Sequence, residues 1–286
     1  MEAIYEAGGT LDFALTLRDE LAPKKAGRAY IDAFCAQHDI ELRKFDNVND
    51  DDALQSIVRA ELDWLFIVGW SQIARPAVLR STRLGVLGMH PTLLPTGRGR
   101  AAIPWAILLG LAETGVTLFK MDEGVDTGPI IAQTKVRIDA AETAATLYPK
   151  IATAHAALLK DNWRALMAGQ LLPVAQDDRR ATVWKGRRPE DGLLTSAFTT
   201  LDADRLIRAV TRPYPGAFIH AADGLMRIWA CGAPGQDCGG AAPASGVRRL
   251  HFCDGWLDAI DWQHEVSPSP ECLVGEAAQF RPLSQA

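Results

Sequence analysis

Two residues in glycine-bounded turns are the ones in this chain best suited to moving a proton. His90 lies in Gly88-Met89-His90-Pro91-Thr92-Leu93-Leu94-Pro95, just past an apolar strand pattern, and Asp126 lies in Gly124-Val125-Asp126-Thr127-Gly128. Pro91 restricts the residue before it to extended backbone, which points the imidazole outward from the strand end. Glycines on both sides of Asp126 permit a tight turn close to a ligand. If the two strand ends lie side by side, imidazole and carboxylate meet in one crevice as an acid/base pair on a rigid frame. Taken singly, each residue has a plainer use: a histidine satisfied by a backbone carbonyl, and an aspartate bonding its own turn. Gly97-Arg98-Gly99-Arg100 is a basic turn beside them, either solvated or aimed at an anion. Trp70-Ser71-Gln72-Ile73 follows the apolar run 64–70. That is the strand end where α/β sheets bind ligands, and core packing is the alternative for Trp70.

The stretch resembles the folate-dependent formyltransferases, which include methionyl-tRNA formyltransferase and the sugar-nucleotide N-formyltransferases. Those proteins carry an Asn-x-His-Pro-Ser-Leu-Leu-Pro segment, an Arg-Gly turn, a Gly-Val-Thr and an Asp-x-Gly loop. The counterparts here are His90–Pro95, Arg98-Gly99, Gly115-Val116-Thr117 and Asp126-Thr127-Gly128, in the same order. Farther along, Arg188-Pro189-Glu190-Asp191-Gly192 and Pro213-Tyr214-Pro215-Gly216-Ala217-Phe218 match the family's C-terminal motifs. The resemblance implies transfer of a formyl group from 10-formyltetrahydrofolate to a primary amine, with no metal. It makes His90 and Asp126 catalytic: His90 takes the proton of the attacking amine or stabilises the tetrahedral intermediate, and Asp126 orients His90 and passes protons between the amine, a water and the leaving folate nitrogen. It places Trp70, Met89, Asp122 and Val125 on the folate side, and Pro91, Arg98 and Arg100 on the acceptor side. The family's Asn, an oxyanion donor, is Gly88 here. Either a backbone N–H or another side chain replaces it, or the acceptor or reaction differs, or activity is lost. Loss of one such donor costs about 3–4 kcal/mol in a comparable site.

Positioning these residues calls for an α/β frame. Strand patterns at 11–17, 40–45, 64–70, 85–89, 115–121 and 130–136 alternate with helical ones at 27–37, 51–60, 76–81, 103–111 and 143–167, the pattern of a mostly parallel sheet. The continuous apolar run at 64–70 reads as its buried central strand. Residues 1–9 read as the tail of a helix, so the family's first strand is missing. The composition turns polar at 176–180, giving a Rossmann-like domain over 1–178 and a second over 179–286. In the latter a helix at 202–210 precedes short β runs at 218–221, 226–230, 247–252 and 256–260, spaced as in a small barrel. The resemblance makes that part OB-like. Residues 232–246 read as a flexible loop.

With 286 residues, 48% hydrophobic and 23% charged, the chain is a globular protein long enough for two cores. The apolar runs are too short to cross a bilayer and the start lacks a signal core, so the expected location is cytoplasmic. Five cysteines without paired metal spacing read as reduced thiols. No dinucleotide fingerprint, Walker loop, zinc spacing or nucleophile elbow is present, so neither a metal nor a nucleotide cofactor is implied. A net charge of −5 favours a small acceptor such as an amino-sugar nucleotide over tRNA, although Arg187-Arg188 and Arg248-Arg249 could build a local basic patch. Methionyl-tRNA is the second acceptor, a folate-binding homologue without turnover and hydrolysis of the donor are the other readings, and a homodimer is compatible with all of them.

Overall fold

Short apolar runs alternating with amphipathic helices fold as successive strand–helix pairs. The computed structural model describes residues 1–24, 29–221, 224–233, 235 and 246–266, in two units: Met1–Arg188 with Arg212–Tyr214, and Pro189–Thr211 with Pro215–Ala286. The first unit runs α1 (Glu2–Glu6), β1 (Phe13–Leu17), α2 (Asp32–Gln37), β2 (Glu41–Phe45), α3 (Asp51–Arg59), β3 (Trp64–Val68) and α4 (Pro76–Leu79). It continues with β4 (Gly85–His90), β5 (Arg98–Gly99), α5 (Ala102–Leu108), β6 (Glu113–Lys120), β7 (Ile130–Arg137), α6 (Ala144–Met167) and β8 (Val183–Trp184). The helix expected over 27–37 begins only at Asp32, and residues 27–28 of its expected start lie outside the described residues.

The sheet is mixed rather than mostly parallel. β1 pairs with β2 and β3 with β4 in parallel, while β4–β6 and β6–β7 are antiparallel, in the orders β1-β2 and β3-β4-β6-β7. β7 follows β6 after a single loop with no crossover helix, and such a return pairs antiparallel. The buried central strand is also not where the apolar run suggests. β3 stops at Val68, forms an edge of the four-stranded sheet and is only half-buried, with Val68 49% exposed. β4 lies between β3 and β6 and is buried at all six positions. An edge strand can be apolar on both faces when helices cover them. One face of β3, through Leu65 and Ile67, meets a cluster built from Phe45, Ile57 and Val78, which Phe13 and Leu15 of β1 also join. The other presents Phe66 to Trp163 of α6, with ring centroids 6.0 Å apart.

α6 starts on a capping box, in which Thr143 and Thr146 satisfy each other's backbone N–H groups. It buries Leu147, Ile151, Leu158, Leu159, Trp163 and Leu166 along one stripe. The polar stretch at 176–180, where the composition suggests a boundary, stays with the first unit because β8 beyond it pairs in parallel with β5. In the second unit α7 (Thr200–Val210) is followed by β9 (Ala217–Ala221), β10 (Gly224–Cys231), β11 (Arg248–Phe252) and β12 (Gly255–Val266). These form an antiparallel sheet in the order β11-β12-β10-β9, with Leu206, Ile207, Ile228 and Leu257 buried. Of the loop expected at 232–246, residues 234 and 236–245 lie outside the described residues. Among the described residues no helix is long and apolar enough to cross a membrane.

Just ahead of α6, Glu142 is only 4% exposed. Burial works to raise its pKa, but Lys150, the Thr146 hydroxyl and the Asp139 N–H outweigh that and hold the carboxyl below the usual carboxylate range. A depressed folded-state pKa gives stability that is present above the unfolded value of about 4.3 and lost as pH falls through the folded one. Glu142→Gln is therefore expected to lower the melting temperature at pH 7 by roughly 2–6 °C. In calorimetric scans the difference from the parent chain should shrink as the pH is taken below about 4.

Candidate active site

β4 delivers His90 to its C-terminal end opposite Thr117 of β6, and the chain then turns away at Pro91. That turn is stitched to the neighbouring strands. The fully buried Thr117 hydroxyl donates to the Thr92 carbonyl at 2.7 Å and accepts the Leu94 N–H at 3.1 Å. Gln133 of β7 donates to the Leu94 carbonyl at 2.9 Å. The segment reaches Gly97, whose φ of 74° and closeness to the Trp184 ring, 2.7 Å from where a Cβ would lie, leave room only for glycine. The Gly97 carbonyl meets Nε2 of His90 at 2.8 Å. A carbonyl can only accept, so Nε2 carries the proton.

His90 Nδ1 then faces Oδ2 of Asp126 at 3.6 Å, with the side chains 10% and 17% exposed. The sequence-predicted pair is thus brought together, on the ends of β4 and the loop that joins β6 to β7. The spacing is longer than a hydrogen bond. Oδ2 also accepts the Gly99 N–H at 2.8 Å. Oδ1 has no hydrogen-bond partner among the described residues and is not buried. Asp126 therefore offers the oxygen that an incoming donor can reach, and His90 stands behind it.

The remaining sequence-predicted residues divide. Arg98, expected to meet the acceptor, is turned inward: it is 7% exposed, and its guanidinium donates to Gln176 Oε1 at 2.9 and 3.1 Å and to Asp178 Oδ1 at 2.7 Å. Arg100 is exposed, its N–H held by the Trp184 carbonyl at 3.1 Å. Pro91 is half-buried, and its carbonyl accepts the Thr114 hydroxyl at 3.4 Å. Asp122 ties its own loop by accepting from the Gly124 N–H at 3.1 Å and the Thr127 hydroxyl at 2.6 Å. Val125, next to Asp126, is 51% exposed, whereas Met89 is buried between its partners Val68 and Leu118. Trp70 packs on Phe45 with ring centroids 5.5 Å apart, yet its indole N–H is buried without a partner. Both readings of that residue thus have support: a packed ring and an unspent donor.

Sequence reasoning missed three residues that hold the site: Gln176, Thr182 and Trp184. Thr182 accepts the Gly97 N–H at 2.8 Å, and Trp184 pairs with Gly99. Their polar surroundings pointed only to a boundary. His155 on α6 falls within the helical packing pattern at 143–167. Its Nδ1 meets the Ile151 carbonyl at 2.9 Å, and burial, followed in the opposite direction by that bond and then by the repulsion of His90, holds its pKa below the usual value. Among the described residues no three His, Cys, Asp or Glu side chains are grouped to share a metal ion.

Gly88 sits across from Phe119 of β6, on the same strand face as His90. A Cβ at position 88 would come within 2.8 Å of two Phe119 ring carbons and 3.1 Å of Met121 Cγ. The volume a side chain would need there is already filled by apolar groups.

A formyl transferase family model matches residues 15–162. The chain is 31% identical over 235 residues to a methionyl-tRNA formyltransferase of Lachnospira eligens, an alignment covering 80% of this chain and 73% of the relative. Its fold is similar to HypX from Aquifex aeolicus in complex with tetrahydrofolic acid, with a TM-score of 0.65 at 16% identity over 87% of this chain and 44% of HypX. It is also similar to WlaRD, a sugar 3N-formyl transferase solved in the presence of dTDP and 5-N-formyl-THF, with a TM-score of 0.63 at 16% identity over 89% of this chain and 88% of that one. The chain thus spans less than half of the HypX chain it resembles.

The packing at Gly88 makes a direct prediction. Gly88→Asn forces Phe119 and Met121 aside and is expected to destabilise the first unit by about 1–3 kcal/mol, as overpacking does. Phe119→Leu in the same chain should recover part of that loss in denaturant titration, and a purely additive double variant would count against a shared space.

Proposed function

The chain belongs to the formyl transferase family, and on that premise we propose that it moves a formyl group from 10-formyltetrahydrofolate to a primary amine at Asp126 and His90. The observation that carries the reading is the accessible Oδ1 of an aspartate whose other oxygen is fixed by a backbone N–H and backed by an imidazole. The folate supplies an activated formyl carbon. An amine must lose a proton as it attacks such a carbon, and Asp126 Oδ1 is placed to take it. His90, with Nε2 held by Gly97, faces the same carboxyl through Nδ1, and as the bond from the formyl carbon to the folate nitrogen breaks, the proton taken from the amine passes to that nitrogen. Holding both reactants against this pair supplies much of the acceleration.

The residues at the strand ends suit a folate. The unspent Trp70 N–H is a donor for a polar edge, the exposed Val125 beside Asp126 is an apolar contact for a flat ring, and Asp122 and Met89 shape the two strand ends. Pro91 and the exposed Arg100 are left for the acceptor side.

For the acceptor, the net charge of −5 supports a small amine such as an amino-sugar nucleotide. Of the Arg248-Arg249 pair in the second unit, Arg249 is engaged within its own sheet: it lies over the Trp256 ring at 3.5 Å and is paired with Asp258 at 2.9 Å. Methionyl-tRNA is the second reading, favoured by the 31% identity to a methionyl-tRNA formyltransferase. The antiparallel sheet after α7 supports an OB-like second unit as part of the same proposal.

The test is to follow tetrahydrofolate release from 10-formyltetrahydrofolate with and without amine. Release that depends on an amino-sugar nucleotide or on methionyl-tRNA supports transfer and names the acceptor. Release that needs no amine means hydrolysis, and tight folate binding without release means a binding protein; either outcome overturns the proposal. Asp126→Asn is expected to lower amine-dependent release by at least about 100-fold, and activity within a few-fold of the parent would remove Asp126 from the chemistry.

A further inference from the structure

We propose that Gln176 and Arg98 are positioning residues that act through Asp126, so that the rate of the reaction is set in part by an amide–guanidinium clamp behind the carboxylate. The proposal rests on the reading of Asp126 given under the proposed function.

The loop carrying Asp126 is poorly held by its own backbone. Residues 122–125 are exposed, and the loop is closed at its base by the Lys120 N–H to the Pro129 carbonyl at 2.9 Å. Asp126 itself has a φ of 55°, a left-handed conformation that a non-glycine residue keeps only where its surroundings fix it. Gln176 provides that fixing. Its Nε2 donates to the Asp126 carbonyl at 2.8 Å and to the Gly128 carbonyl at 2.7 Å, gripping the loop on both sides of Thr127. Its Oε1 accepts from Nε and one terminal nitrogen of Arg98.

The chemistry of the contacts leaves one orientation for this amide. Two carbonyls need donors and a guanidinium needs an acceptor, so nitrogen faces the loop and oxygen faces Arg98. Arg98 is buried, and Asp178 accepts from the same terminal nitrogen at 2.7 Å. Arg98 also sits on β5, one residue before the Gly99 N–H that binds Asp126 Oδ2. The clamp therefore holds the Asp126 main chain, through Gln176, from the same strand that holds its side chain.

Gln176→Glu separates positioning from simple packing. It is isosteric and keeps an acceptor for Arg98, but it sets a carboxylate oxygen against two carbonyls. In the full chain kcat is expected to fall about 10–100-fold, with KM for 10-formyltetrahydrofolate and for the amine changed less than about threefold. In the Asp126→Asn background the same change should cost less than about threefold more, because the carboxylate it positions is gone. Equal losses in both backgrounds, or a KM effect with kcat kept, would overturn the proposal. A second readout needs no turnover. The Gly99 N–H is protected by Asp126, so its hydrogen–deuterium exchange, read by NMR, should speed up about tenfold in Gln176→Glu, and unchanged exchange overturns the clamp. If the parent chain shows no formyl transfer, the functional reading fails while the Gly99 measurement still decides whether the clamp exists.

Discussion

The carboxylate of Asp126 is the point at which separate parts of the first unit are made to agree. One of its oxygens takes the Gly99 N–H and lies against the imidazole that β4 delivers, while its own carbonyl is gripped by Gln176 from beyond α6. Without that carboxylate the two glycine-rich turns would keep only the Arg98–Gln176 bridge between them. Nδ1 of the mostly buried His90 would then lose the oxygen it faces at 3.6 Å. The sheet supplies rigidity and the helices supply cover, but neither dictates this contact. It is a matter of one side chain, held in a backbone conformation that its residue type adopts reluctantly.

The distribution of burial follows from that demand. The strand bearing the histidine is covered on both faces and both edges, so its terminal residue is fixed to within the tolerance that proton transfer requires. The strand at the edge, β3, ends in an exposed valine and a glycine of positive φ, and the tryptophan beyond it keeps a donor unspent. Rigidity is concentrated around His90, and looser packing lies at the end of β3.

Much of this was legible in the residues. The histidine and aspartate were found because a strand end, a proline and bracketing glycines are local signals, and most helices and strands followed from their periods. The central strand was misplaced because an apolar run reports burial of both faces, which helices give even to an edge strand such as β3. The sheet's direction was misread because antiparallel return between β6 and β7 depends on the loop between them rather than on the strands. Gln176 and Thr182 could not be seen at all: each acts across tens of residues through one or two hydrogen bonds, and no spacing announces such a partner. Arg98 was noticed for its charge, but whether a guanidinium faces solvent or the interior is a property of the fold.

The aromatic ring laid over Gly88 has an implication for how such a site can change over time. An amide side chain at that place would call for two coordinated changes in this chain, since the ring and the thioether occupy the ground an amide would need. A lone reversal meets a filled space, and a lone shrinking of the ring leaves a hole beneath a buried strand. Either change alone therefore carries a packing cost, which favours variation at positions other than 88.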